Sequence, residues 1–109
     1  MERKKFLTYN LEGILNSLIR KYKPEEIFIF GSYASGNLKD TSDIDLLIIK
    51  RTDKHFIDRL QEVASLCNYD IGVDFLVYTP EEFEKKKKSH FIKEEVLKKG
   101  KLIYEKSKK

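Results

Sequence analysis

The sequence predicts an α/β (α+β) fold, a small mixed, twisted β-sheet flanked by helices, and three observations predict it. Short apolar runs stand at Ile27–Phe30, Ile44–Ile49 and Ile71–Tyr78, stretches with helical spacing separate them, and turn or cap residues mark the boundaries. No internal repeat and no Pro/Gly/Ser-rich linker divides the chain, so residues 1–109 are expected to form one domain.

Each element follows from local chemistry. Leu7, Leu11, Ile14, Leu15, Leu18, Ile19 and Tyr22 fall on one face of a first helix, which the Lys23-Pro24 step should end because proline disfavours helical geometry in the residue before it. Ile27 to Phe30 reads as a short buried strand, and Ser32 to about Gly36 as a short helix or turn. Ile44 to Ile49 is apolar at nearly every position, the mark of a strand covered on both faces. A helix is expected from about Asp53 to Cys67, with Phe56, Leu60, Val63, Ala64 and Cys67 inward, and a third strand near Ile71 to Tyr78. Thr79-Pro80-Glu81-Glu82 is a helix start: Thr79 caps, Pro80 takes the first helical position and Glu82 completes a capping box. One or two short helices follow, Gly100 closes the last, and Lys101 to Tyr104 can add an edge strand.

Composition narrows the function classes. The chain is 40% hydrophobic and 37% charged, which suits a modest core under a heavily charged surface. Its net charge of +4 comes largely from Lys85–Lys88 and the lysine-rich tail. A lysine run without interleaved arginines and aromatics reads as a solvated helix face, so no specific nucleic acid is expected. No apolar stretch approaches a membrane span, and MERKKF lacks the apolar core of a signal peptide, so a cytoplasmic home is expected. The lone Cys67 allows no internal disulfide and falls on an apolar helix face, where packing is the expected role.

The stretch FIFGSYASGNLKDTSDIDLLII carries the chemistry. Gly31 and Gly36 have the spacing of a P-loop, but Asn37 and Leu38 stand where its Lys and Ser/Thr belong. A dinucleotide fingerprint fails at Tyr33, where a glycine is required. Asp43 and Asp45, two apart on a strand, present paired carboxylates on one side. Such a pair needs a cation, and Asp74, set between apolar neighbours on the third strand, converges with it if the two strands are adjacent. Oxygen-only ligands favour magnesium or manganese, and three carboxylates can bridge two ions. Gly31 permits a sharp turn off the first strand, while the Ser32 hydroxyl and the amides after it aim donors at phosphate.

Gly31-Ser32, ten residues, then Asp43-Ile44-Asp45 resembles the GS-x10-DxD pattern of the DNA polymerase beta-like nucleotidyltransferase superfamily. With its short length, first helix and later Asp74, the chain looks like the minimal nucleotidyltransferase (MNT) group of antitoxin type. The resemblance implies that Asp43, Asp45 and Asp74 hold two Mg2+ ions (or Mn2+) of a nucleoside triphosphate such as ATP, and that Gly31 and Ser32 bind its β- and γ-phosphates. Where the family often has Arg or another polar residue this chain has Ala34-Ser35-Gly36, so the resemblance assigns no phosphate contact beyond Ser32. It further implies a HEPN-domain RNase toxin as partner, silenced by transfer of AMP to a tyrosine, and is compatible with a homo- or hetero-oligomer. Transfer to a small molecule such as an aminoglycoside, and a non-catalytic nucleotide-binding scaffold, are the alternatives. Lys39 and Ser42 read as loop residues, and His55 and His90 as helix-flank or surface residues.

Overall fold

The computed structural model describes residues 2–36, 44–67 and 72–106. Helix α1, Glu2–Ser17, continues into a π-helical turn, Leu18–Tyr22. Lys23, with φ 56, then turns left-handed and returns its N–H to the Leu18 carbonyl at 3.0 Å, while the Lys50 ammonium donates to the Tyr22 carbonyl at 2.7 Å. The expected stop before Pro24 is thus made by Lys23 itself.

Strand β1, Glu26–Phe30, leads through the short helix α2, Gly31–Ser35, to β2, Ile44–Ile49. Helix α3, Phe56–Leu66, and β3, Val73–Tyr78, follow, then α4, Pro80–Lys86, a π-helix, Ile92–Lys98, and β4, Lys101–Glu105. The sheet order is β3-β2-β1-β4; β2 runs antiparallel to β1 and parallel to β3, and β4 lies antiparallel along β1 at the edge.

Strand alternation divides the core. Ile27, Ile29, Ile44, Leu46, Ile48 and Val77 face α1, its π-turn and α3, whereas Phe28, Phe30, Leu47 and Ile49 face α4 and the Ile92–Lys98 π-helix. Covered on both faces, β2 can be apolar at every position but one. Truncating fully buried Leu47 to alanine would cost roughly 2–5 kcal/mol.

Four expectations need correction. Helix α3 starts at Phe56 rather than Asp53, because Thr52 Oγ1 accepts the Lys54 N–H at 3.1 Å and folds that stretch into a turn. Ala64 is exposed. Arg59 is buried instead, with its guanidinium bonded to Glu82 at 2.7 and 3.1 Å and to the Lys54 and Val77 carbonyls. The third strand, expected from near Ile71, begins at Val73 after the non-strand Gly72, and Ile71 lies outside the described residues. Gly100 follows the last helix, but for reasons of space: a Cβ there would meet the Val96 and Ile29 carbonyls at 2.5 and 2.6 Å. The Thr79 capping box forms as expected. Among the described residues no helix is long and apolar enough to cross a membrane.

Candidate functional site

The chain leaves β1 through a turn that only glycine accommodates well. Phe30 is extended, Gly31 takes φ 78, and α2 begins at once. Its end is equally abrupt: Gly36, with φ 84, sends its N–H to the Ser32 carbonyl at 3.1 Å. The first amides of α2 have no partner within so short a helix, so its start at Gly31-Ser32 presents donors at the end of the sheet. Tyr33 and Ala34 pack on the α1 side, where the Tyr33 hydroxyl meets Thr8 Oγ1 at 2.7 Å and ties α2 to α1.

Beside this turn β2 begins. Asp45 pairs with Phe30 across β1 and with Asp74 across β3. Residues in register share a face, so both carboxylates stand on the same side of the sheet, on strands whose backbones lie about 4.8 Å apart. By alternation that face is the one bearing Phe30, Leu47 and Leu76, opposite to the side on which α2 leans. A Cβ on Gly31 would collide with Asp45 Oδ2. Asp45 is half-buried and Asp74 exposed at the rim.

The structure therefore brings together Gly31, Ser32, Asp45 and Asp74, which lie far apart in sequence. Asp43, Lys39 and Ser42 fall outside the described residues, and among the described residues no trio of His, Cys, Asp or Glu gathers as a metal site. Two in-register carboxylates repel one another, and their oxygen donors suit a hard divalent cation, so this pair fits the metal chemistry expected of it.

Other candidates lie elsewhere. Cys67 packs against the α1–α3 cluster, and burial pushes its thiol pKa up against the opposing pull of Lys21. It is therefore a poor nucleophile. His55 and His90 are exposed, His55 standing just before α3. Sequence reasoning passed over two contacts around the turn. One is the Tyr33–Thr8 bond; the other sets the ring of Phe91 edge-on to Phe30, centroids 5.7 Å apart. Each joins residues 25 or more positions apart, and only the aromatic character of Tyr33 and Phe91 hinted at them.

Comparisons with known proteins address the family and the fold. The family model described as polymerase beta, nucleotidyltransferase, matches residues 12–109. A Methanocaldococcus jannaschii protein provisionally named a protein adenylyltransferase is 33% identical over 96 residues, covering 86% of this chain and 94% of its own. A second protein of that organism, with the same provisional name, is 31% identical over 78 residues, 72% of this chain and 78% of its own. The crystal structure of a provisionally assigned nucleotidyltransferase from Sulfolobus solfataricus superposes with a TM-score of 0.70 at 24% identity, covering 96% of this chain and 86% of that one, and so shares the fold. A strand, a glycine turn and an in-register carboxylate pair, within a family match that spans most of the sequence, mean that the chain belongs to the polymerase beta-like nucleotidyltransferase family.

Proposed function

We propose that this chain is a single-domain antitoxin of the cytoplasm, a protein adenylyltransferase that moves AMP from ATP to a tyrosine hydroxyl of a HEPN-domain RNase toxin. The observation that carries the reading is the Asp45–Asp74 pair in register beside the Gly31 turn. The provisional names of the relatives support the choice of a protein acceptor.

In this reading Asp43, Asp45 and Asp74 would hold two magnesium ions, which would supply charge neutralisation at the phosphates and at the attacking and leaving oxygens. The Ser32 hydroxyl and the α2 amides donate to the β- and γ-phosphates, pre-positioned by the Gly31 turn. Asp74, at the exposed rim, takes the proton of the acceptor hydroxyl. The tyrosine oxygen bonds to the α-phosphorus, the bond from that phosphorus to the bridging oxygen breaks, and pyrophosphate leaves. Because Asp74 is exposed, the acceptor can be presented to this site by the partner's own surface.

Incubation of the chain with a purified HEPN protein and Mg-ATP tests this reading by intact mass. One adenylyl group should be added to the partner, on a tyrosine. Pyrophosphate release only with small-molecule acceptors would favour an aminoglycoside-type reaction, and nucleotide binding without any transfer would favour a scaffold.

A further inference from the structure

The face that carries Asp45 and Asp74 also carries an aromatic ring with no role in the chemistry above. Phe91 stands at the entry to the Ile92–Lys98 π-helix and meets Phe30 edge-on, interplanar angle 88°. Phe30 is the in-register partner of Asp45, so Phe91 packs on the residue that faces Asp45 across the two strands. The two rings differ in exposure: Phe30 is 8% exposed, Phe91 45%. A large aromatic left half open costs apolar burial, yet the backbone holds it in place. Ser89 accepts the Ile92 N–H through Oγ and the Lys93 N–H through its carbonyl, at 3.3 and 3.0 Å, and Ile92 and Val96 anchor the following helix in the core.

Direction decides what the ring meets. Helix α2 leans toward α1, on one side of the sheet, whereas the carboxylates project on the other. Gly31, at the start of α2, lies against the Asp45 carboxylate, so a triphosphate gripped at Gly31-Ser32 and held at Asp45 and Asp74 reaches the face that bears Phe30. Its ribose and base therefore emerge on the side where Phe91 stands. We propose that Phe91 is the residue on which the base of the nucleoside triphosphate stacks. The proposal rests on the triphosphate reading of the site. Stacking on a fixed ring contributes affinity without demanding a particular hydrogen-bonding edge, so base selection by Phe91 alone is weak.

The chain has no tryptophan, so Phe91→Trp installs a single fluorescent reporter at the ring's position. Mg-ATP should quench its emission, and Mg-tripolyphosphate, which has no base, should not. Phe91→Leu keeps an apolar cover over Phe30 and removes the π-face; it should weaken Mg-ATP binding by about 5- to 150-fold, the range for loss of one stacked base, and leave Mg-tripolyphosphate binding unchanged. Equal binding of Mg-ATP by wild type and Phe91→Leu, or identical emission of Phe91→Trp with both ligands, overturns the proposal while the phosphate site stands. Equal weakening of both ligands in Phe91→Leu also overturns it, assigning the ring to support of the fold. If wild type binds neither ligand, the triphosphate reading itself has failed and the stacking role falls with it.

Discussion

The carboxylate of Asp45 occupies the space that a Cβ on Gly31 would need. Gly31 is therefore constrained twice, by its φ of 78 and by the side chain across the strand pair, whereas a Cβ on Gly36, at φ 84, would meet none of the described residues within 4 Å. That difference separates the cost of backbone strain from damage to the site.

Gly31→Ala should lower stability by about 2 kcal/mol, from left-handed strain and the collision together. It should also lower nucleotidyl transfer by roughly a hundredfold, because Asp45 must move by a good part of an ångström. Gly36→Ala should show only the strain, about 1 kcal/mol, with transfer nearly intact. Denaturant melts paired with rate measurements check this. Equal losses of activity in the two variants would mean that the Gly31–Asp45 approach has no bearing on catalysis.

The Arg59–Glu82 pair makes stability depend on acid. Its hydrogen bonds with Arg59, chiefly, hold the Glu82 carboxyl below its ordinary value of 4.5, against the opposing effect of burial, and the Thr79 amide adds to the lowering. With the folded pKa depressed, this stabilisation is present above about pH 4.5 and is lost as pH falls through the lower folded value. Glu82→Gln keeps the capping box while removing the charge, and should cost no more than about 1 kcal/mol at pH 7, because solvent reaches the Glu82 side chain and screens the pair. The gap between wild type and variant should close toward pH 3. Parallel urea titrations at the two pH values measure it, and a gap independent of pH would assign the effect to packing.

Much of the fold was legible because its signals are local. The capping box, the apolar run of β2 and the Gly31 and Gly36 turns each depend on a few neighbouring residues, and the GS and DxD spacing needs only that β1 and β2 be adjacent. Arg59 was not legible. A charged residue in a helix reads as solvated, and its burial depends on Glu82, 23 residues away, and on the Val77 carbonyl of β3. Phe91 was hidden for the same reason, since its neighbour Phe30 belongs to another element. Gly100 was read as a helix stop because glycine commonly serves so, and it does follow the last helix, but its constraint comes from the Val96 carbonyl of that helix together with the Ile29 carbonyl of β1.

Tyr22 offers a test of the core under α1. Its ring is buried and its hydroxyl has no hydrogen-bond partner among the described residues. Burial pushes its pKa up from 10.0 to about 12, Glu62 adding to the rise and Arg59 opposing it. Because the folded value is raised, stability should decline as pH climbs from 10.0 toward 12. Tyr22→Phe should remove that contribution and be neutral or stabilising by about 1 kcal/mol at pH 7, since it discards an unsatisfied buried group. Thermal melts of both proteins at pH 7 and pH 11 decide it; a clear loss at pH 7 would show that the hydroxyl is bonded in solution.

Asp74→Asn tests most directly whether Asp45 and Asp74 hold a metal-bound nucleoside triphosphate at the Gly31-Ser32 turn. Asp74 is exposed and flanked in register by a like charge, so the change should alter stability by no more than about 0.5 kcal/mol without ligand. The decisive measurement is the melting temperature of wild type and Asp74→Asn with Mg-ATP, in the presence and absence of a chelator. At a hundred times its dissociation constant the ligand should stabilise wild type by about 2.7 kcal/mol, a rise of several degrees in a domain of this size. This rise should vanish with chelator and be largely lost in Asp74→Asn. A rise of equal size in chelator, or an undiminished rise in the variant, would contradict this assignment.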